Sequence, residues 1–264
     1  MPHEKLPPVL IRNEDDVNRL FDHFQNKDAD PRLTRAVYPL LGLVFRPRIG
    51  YERGAPAKIT DHLGRGGQIA LAMEHDRAID PFIVAGATFR KTMRPLREGT
   101  DIAAKPILFN NPLVAWFLDN AGAYTAFRTQ DMDNPRFEAP ADPDERAALH
   151  RLATKRLIEV SIDKLNRGEH IAIFPRGTRK KEEGASPITP DVLKDGIGQM
   201  VCGADRPENI LIMCSAVNYD RGLFRTSVTF SYPEEVPGTP GEVMELIAPG
   251  LQRCVDASAE MSRR

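Results

Sequence analysis

The sequence has few cysteines, no excess of charge of either sign and no nucleotide-binding loop. Its three cysteines have unrelated spacings, which argues against a disulfide framework or a zinc site and suits a reducing compartment. The 36 basic and 37 acidic side chains give a net charge of −1, so global charge does not indicate nucleic acid as a partner. No G-x4-G-K-S/T pattern occurs, and nucleotide hydrolysis therefore has no support. With 41% hydrophobic and 28% charged residues, the composition is that of a folded, water-compatible protein.

Long apolar runs are also absent. The most apolar early segment, residues 36–45, is half as long as the ~20 residues that a membrane-spanning helix needs, and Pro39 interrupts it. The N-terminus has no basic stretch followed by an apolar one, so no cleaved signal peptide is expected. We therefore expect a cytoplasmic protein.

Three arginines, Arg35, Arg46 and Arg48, flank this apolar segment. Two interpretations are open. The segment is either a core element or helix hairpin packed on the domain, or an interfacial segment whose arginines face lipid headgroups. In the second case residues 36–48 make a peripheral contact with the inner face of the membrane.

Apolar periodicity predicts alternating strands and helices. Near the N-terminus, Val17, Leu20, Phe21 and Phe24 recur at helical spacing behind the acidic residues 14–16, which favour a helix N-terminus. Further helices are predicted at 81–92, 111–122 and 142–169, with another in the tail after residue 233. Short apolar runs predict strands at 68–73, 104–109, 123–128, 170–175, 209–219 and 227–233.

This alternation predicts an α/β fold, in which a mostly parallel or mixed sheet has helices on both faces and follows an N-terminal helical extension. We expect the extension to cover residues 1–50, the α/β domain residues 51–235 and a C-terminal tail residues 236–264. Ligands of such sheets bind at the carboxyl ends of the strands. The residues that follow each strand are therefore the candidates for chemistry.

The stretch MEHDRAIDPF, residues 73–82, places a histidine and an aspartate in a strand-to-helix turn. Asp80 followed by Pro81 is typical of a helix start. On one continuous helix, residues five apart lie about 140° apart and do not meet easily, whereas in a turn His75 and Asp80 can. An imidazole held by a carboxylate on one nitrogen can take a proton through the other. The alternative is a solvated polar turn in which Asp80 only caps the helix.

A second candidate is Arg128, at the end of the predicted strand 123–128. It should project at the same edge of the sheet as His75, where its planar fork suits phosphate oxygens. The alternative is a structural ion pair with Asp131 or Asp133.

The segment HIAIFPRGTRKKEEG adds a cluster of cations after another predicted strand. Gly177 and Thr178 lie at its centre, and a glycine there lets backbone N–H groups approach an anion or a developing oxyanion. The alternative is a solvated basic turn that Glu182 and Glu183 balance. The cations of the cluster are Arg176, Arg179, Lys180 and Lys181.

The order and spacing of these segments resemble those of glycerolipid acyltransferases of the lysophosphatidic acid acyltransferase type. The first signature of that family, H-x4-D, matches HDRAID. Its second block, a glycine some six residues before an arginine and behind P-L-x-x-W-x-L, matches NPLVAWFLDNAGAYTAFR. Its third block, F-P-E-G-T-R, matches FPRGTR, and its fourth, an apolar strand that usually holds a proline, is loosely matched by ILIMCSAVNY. The resemblance covers roughly residues 60–220.

Two positions depart from the family pattern. Arg176 replaces the usual glutamate of the third block, and Glu74 replaces the asparagine or serine that usually precedes the histidine. In the family that glutamate is associated with the acceptor end of the site, so the departure leaves the acceptor open. We hypothesise that Glu74 pairs with Arg77 or Arg176 as a swapped-charge compensation.

The resemblance implies transfer of a fatty acyl group from a thioester, acyl-CoA or acyl-carrier protein, to a hydroxyl of a lysophosphatidic acid-like glycerol phosphate in phospholipid biosynthesis. His75 would deprotonate the hydroxyl and Asp80 would orient the ring, with no cofactor, metal or covalent acyl-enzyme required. The residues expected to bind substrate are Arg128, Arg176, Gly177, Thr178, Arg179 and Lys105.

Two other functions stay open. One is acyl transfer to another acceptor, such as glycerol-3-phosphate, another lyso-lipid or a glycolipid, which the cation at Arg176 favours. The other is a non-catalytic module that binds a lipid or an acyl thioester.

Overall fold

The structure, a computed structural model, describes residues 6–74, 77, 79–88, 91–176, 187–219 and 226–263. Within these ranges, a mixed sheet of eight strands has helices on both faces. The helices are α1 (Glu14–Asn26), α2 (Pro31–Phe45), α3 (Ala55–Gly64), α4 (Asp80–Ala87), α5 (Arg94–Gly99), α6 (Pro112–Asn120), α7 (Pro143–Asn166), α8 (Gly196–Cys202) and α9 (Pro240–Arg263). The strands are β1 (Arg48–Tyr51), β2 (Gln68–Met73), β3 (Thr100–Ala104), β4 (Ala123–Thr125), β5 (His170–Ile173), β6 (Ile210–Tyr219), β7 (Thr226–Phe230) and β8 (Glu234–Glu235).

The strand order is β1-β7-β6-β2-β5-β3-β4, and β8 pairs with β6 beside this path. β6 runs antiparallel to β7 and β8, while the other pairs are parallel. This arrangement confirms the predicted mixed α/β fold with helices at its N-terminus. Because β6, β2, β5, β3 and β4 all run in one direction, their carboxyl ends meet at a single edge of the sheet.

Two helices show how closely local signals set the element boundaries. α1 begins after Asn13, whose side chain accepts a hydrogen bond from the backbone N–H of Asp16, and it buries its predicted apolar face. α7 begins after Asp142, whose carboxylate accepts from the N–H groups of Asp144 and Glu145. Both starts agree with the acidic N-terminal signals in the sequence.

The predicted strand at 104–109 is wrong. The strand in this region is β3, which ends at Ala104, and Pro106–Asn110 forms a 3-10 helix. Pro106 has no N–H to donate to a strand ladder, so the apolar run cannot continue the sheet. β4 is shorter than the predicted 123–128, ending at Thr125. Short elements without clear periodicity, β1, α3 and α8 among them, were not predicted.

Side chains of β2 alternate between two apolar cores, as the pleat of a strand requires. Ile69, Leu71 and Met73 join a core with residues of α3 and α4. Ala70 and Ala72 face the opposite core, which contains residues of α1, α6, α7, α8 and α9. The strand is buried along its whole length, so its carboxyl end is a rigid platform for the turn that follows.

The segment between Arg35 and Arg48 forms the end of α2 and the start of β1. α2 packs on α4 so closely that a Cβ on Gly86 would lie 2.9 Å from the backbone nitrogen of Gly42. Its outer face remains apolar, with Leu40 and Leu43 about 60% exposed. The helix thus packs on the domain and also presents an apolar surface, and no helix in the described ranges has the length and apolarity to cross a membrane.

A buried lysine joins elements at the amino edge of the sheet, opposite the carboxyl ends. Lys164 of α7 places its Nζ 3.0 Å from an Asp101 carboxylate oxygen and 3.2 Å from a Glu169 carboxylate oxygen. The same Nζ donates to the backbone carbonyl of Lys27 at 3.1 Å. A buried charge needs such partners, because removing one of them would leave it uncompensated. The cluster fixes α7, which forms one wall of the cavity described below.

Candidate active site

Asp80 is the predicted catalytic carboxylate, and it lies at the start of α4 with no exposed surface. One carboxylate oxygen accepts from the backbone N–H of Arg77 at 2.7 Å. The other accepts from the hydroxyl of Tyr219, at the end of β6. Asp80 is therefore not a solvated helix cap, because it is buried and its carboxylate accepts hydrogen bonds from Arg77, just before α4, and from Tyr219, at the end of β6.

His75, the predicted general base, lies outside the described residues, as do Gly177, Thr178 and Arg179 of the basic cluster. Glu74 immediately precedes His75, and its backbone N–H donates to the Ser215 carbonyl at 2.9 Å. The strand hydrogen bonding thus extends to the residue before the histidine.

Glu74 and Arg176 form an ion pair between the carboxyl ends of β2 and β5. The guanidinium Nη1 lies 3.0 Å from a Glu74 carboxylate oxygen. The two side chains are only 6% and 15% exposed, so solvent screens their attraction weakly. Of the two hypothesised partners of Glu74, Arg176 is the one that forms an ion pair with it in the structure.

Arg128 lies three residues beyond β4 and forms a two-point ion pair with Asp131. Its Nε and Nη2 donate to the two carboxylate oxygens at 2.8 and 2.5 Å, and its backbone N–H donates to the same carboxylate at 3.0 Å. The structural ion pair considered from the sequence is therefore present. The pairing still leaves Arg128 on the cavity wall, so it is compatible with a role in substrate binding.

An apolar cavity of about 570 Å³ opens at this edge of the sheet. Its volume falls within the range of about 300–1,000 Å³ that is typical of small-molecule sites. Helices α2, α4, α6 and α7 supply leucine, isoleucine, phenylalanine and alanine side chains to its walls, and α8 supplies Met200. Three of the cations among its lining residues, Lys105, Arg128 and Arg176, follow the ends of strands, and a fourth, Lys194, lies just before α8.

The structure thus gathers most of the described candidates in one place. Lys105, Arg128 and Arg176 line the cavity, and Asp80 directly precedes two further lining residues, Pro81 and Phe82. An apolar cavity with cations along one edge can accommodate an acyl chain together with an anionic group. In the described part of the chain, no three histidine, cysteine or carboxylate side chains come together as metal ligands would.

One residue of this site was missed from the sequence. Tyr219 ends the apolar run ILIMCSAVNY, which we assigned only as a strand, and its contact with Asp80 joins residues 139 positions apart. The signal available was weak, because a tyrosine at a strand end is common and nothing in its neighbours indicates a partner.

Comparisons with known proteins identify a family for the chain. The profile of a protein family described as "Acyltransferase" matches residues 57–213, more than half of the chain. Among solved structures, the chain is similar to the 1-acyl-sn-glycerophosphate (LPA) acyltransferase PlsC from Thermotoga maritima, with a TM-score of 0.44 and 12% sequence identity. That match covers 95% of this chain and 84% of the other. No curated protein matches the chain.

Proposed function

The chain belongs to the acyltransferase family, and we propose that it moves a fatty acyl group from an acyl thioester to a hydroxyl of a lysophosphatidic acid-like glycerol phosphate. The donor is acyl-CoA or an acyl-carrier protein, and the product enters phospholipid biosynthesis. The observation that carries the proposal is the apolar cavity whose cations Lys105, Arg128 and Arg176 lie at the same edge of the sheet as Asp80.

In the proposed reaction His75 is the general base. It accepts the proton of the acceptor hydroxyl while the oxygen attacks the thioester carbonyl, and the tetrahedral oxyanion then expels the thiolate, which takes up the proton. Asp80 orients the imidazole and stabilises its protonated form. General base catalysis contributes about 10²- to 10⁴-fold, so alignment of the two substrates along the cavity supplies much of the rest.

The cations of the cavity are proposed to hold the acceptor phosphate. Arg128 and Lys105 line the wall beyond β4 and β3, and Arg176 lies beyond β5. A guanidinium can present two parallel N–H groups to a phosphate, which a lysine cannot. Arg179, with the backbone of Gly177 and Thr178, completes this group as a prediction from the sequence alone.

We also propose that the protein contacts the cytoplasmic face of a membrane through α2 and α6. Both helices contribute to the cavity, through Leu41 and Phe117 respectively. Both also expose large apolar side chains, and arginines flank the exposed part of α2. A lipid surface held there would lie beside the cavity in which its acyl chain reacts. The exposed apolar residues are Leu40, Leu43, Val44, Leu113 and Trp116.

A second acceptor class is favoured by one observation. Arg176 occupies the position where the family usually has a glutamate, and its pairing with Glu74 keeps the guanidinium on the cavity wall. A guanidinium there places hydrogen-bond donors where the family usually has a carboxylate, which changes the group that faces the acceptor. The alternatives to lysophosphatidic acid are glycerol-3-phosphate, other lyso-lipids and glycolipids.

The test is a panel of acceptors with a labelled acyl thioester donor, in which both lipid product and released thiol are measured. Wild-type protein should acylate lysophosphatidic acid, and His75→Ala should lose transfer while it keeps its fold. His23→Ala is the matched control, because His23 also contacts a carboxylate, Asp119 at 2.7 Å, but neither residue lines the cavity. Transfer at the wild-type rate by His75→Ala would exclude the mechanism, and transfer only to another acceptor would select the second class.

A further inference from the structure

Asp80 is held by a contact that no motif in the sequence indicates. We propose that Tyr219 is a positioning residue for acyl transfer, which acts by fixing the orientation and charge of the Asp80 carboxylate. The proposal rests on the proposed function, since Asp80 acts on the reaction only through His75.

The topology brings Tyr219 to Asp80. β2 and β6 are parallel, and their pairing ends at Met73 and Ser215, so β6 continues for four residues beyond the last β2 residue of the ladder. Along β6, Met213 and Val217 face the core that contains α4, and alternation of side chains places Tyr219 on the same face. Its ring is partly buried against this core, so the hydroxyl reaches the first residue of α4 from a fixed base.

The Asp80 carboxylate is held at both oxygens by different kinds of donor. The Arg77 contact comes from a backbone N–H, which almost any residue at that position would supply. The Tyr219 contact comes from a side-chain hydroxyl, so it depends on the identity of the residue. Hydrogen bonds to a carboxylate are about twice as strong as neutral ones, and the tyrosine therefore restricts the rotation of Asp80 more than a neutral contact would.

The two partners of Asp80 also contact each other, because the side chain of Arg77 lies over the ring of Tyr219. The guanidinium carbon lies 4.1 Å from the centre of the Tyr219 ring, within the range of a cation–π contact. A cation over the ring stabilises partial negative charge on the phenolic oxygen, which strengthens donation of the hydroxyl to the carboxylate. Arg77, Tyr219 and Asp80 thus form a clasp at the start of α4.

This clasp has a defined consequence for a general base. A strong hydrogen bond from another donor partly neutralises the negative charge of a carboxylate. The Asp80 carboxylate therefore stabilises the protonated imidazole less than it would without Tyr219. Hydrogen-bond partners that orient a metal ligand typically contribute about 10- to 100-fold to activity, and we expect an effect of the same order from a partner that orients Asp80. Loss of the hydroxyl should lower the rate of the chemical step, because Asp80 then holds the imidazole less firmly in its reactive orientation. It should also move the acidic limb of the pH profile to higher pH, because the freed carboxylate stabilises the protonated ring more, while binding of either substrate stays unchanged.

The experiment compares full-length wild type with Tyr219→Phe, which removes the hydroxyl and keeps the ring. We expect kcat to fall about 10- to 100-fold, with KM for donor and acceptor within about twofold and the acidic limb of kcat/KM shifted to higher pH. Tyr124→Phe is the matched control, because its hydroxyl bonds Ser161 at 2.9 Å in the core and the residue does not line the cavity. The control should lower the melting temperature without moving kcat or the pH profile.

An unchanged kcat in Tyr219→Phe overturns the proposal. A fall in kcat that only matches the loss of folded protein, measured by circular dichroism, with an unchanged pH profile, also overturns it. An equal fall in kcat in the Tyr124→Phe control would overturn it as well. Failure of the proposed function is distinguishable, since in that case the wild type would show no acyl transfer, or His75→Ala would retain it at the wild-type rate. Active wild type, inactive His75→Ala and fully active Tyr219→Phe would reject the positioning role alone.

Discussion

The Glu74–Arg176 ion pair allows a quantitative prediction about stability. At 3.0 Å and an effective dielectric constant of about 20, the Coulomb attraction is roughly 5 kcal/mol. Desolvation of both groups offsets much of this, yet removal of one partner of a buried pair typically costs about 3–5 kcal/mol. Because Arg176 retains some exposure, we expect Glu74→Gln and Arg176→Gln to lower the free energy of unfolding by about 2–4 kcal/mol each.

The two single variants should not be equal. Arg176→Gln leaves a carboxylate that is 6% exposed without this guanidinium, whereas Glu74→Gln leaves an arginine whose long side chain can turn toward the cavity. The arginine substitution is therefore the more destabilising one. The double variant should be more stable than the sum of the singles predicts, by a coupling energy of about 1–3 kcal/mol.

The assay is urea unfolding followed by circular dichroism for wild type, both singles and the double. The exposed pair Arg65–Asp61, at 2.7 Å with both side chains more than 60% exposed, is the matched control. The same double-mutant cycle on this pair, with Arg65→Gln, Asp61→Asn and both together, should give a coupling energy below about 1 kcal/mol. Strictly additive effects of Glu74→Gln and Arg176→Gln would show that the buried pair contributes no coupling, and the swapped-charge hypothesis would fail.

Two further predictions concern binding and pH. Arg128→Ala should raise the acceptor KM about 10- to 100-fold with a smaller change in kcat, because a charge-assisted bond contributes roughly 1.5–3 kcal/mol; unchanged acceptor kinetics would remove Arg128 from the phosphate site. Burial lowers the pKa of His170 to about 4, with further lowering by nearby His62. Since the unfolded chain takes up this proton near pH 6.5, stability is full above that pH and falls by about 3 kcal/mol as pH drops toward 4. In His170→Asn, whose side-chain oxygen can still accept the Ile69 N–H, that loss should be absent in the same unfolding assay.

Local signals in the sequence were enough to place the strand-to-helix turn of the site. The apolar run that forms β2 ends at Met73, and the Asp80-Pro81 pair starts α4 as predicted. Both signals are local, because a buried strand needs continuous apolar side chains and proline suits the first turn of a helix. The predicted strand beginning at 104 failed for an equally local reason, since Pro106 cannot join a ladder.

Pairings between distant elements were beyond the reach of local signals. The Glu74–Arg176 pair was one of two hypotheses, and only the adjacency of β2 and β5 selects it. The contact between Tyr219 and Asp80 depends on the length by which β6 outruns β2. Neither the strand order nor such an overhang is encoded in the residues near the contact, so these features required the fold.

Two of the arginines proposed to bind phosphate, Arg128 and Arg176, are already paired with a carboxylate, and this bears on how an acceptor is chosen. Asp131 cancels the charge of Arg128 but also holds its guanidinium in place, which removes part of the roughly 2 kcal/mol of rotamer entropy that binding would otherwise cost. Glu74 does the same for Arg176. The pairs therefore convert mobile cations into groups of fixed position and orientation. We expect an acceptor to be selected by how its anionic group fits these fixed guanidiniums, rather than by the net charge of the cavity.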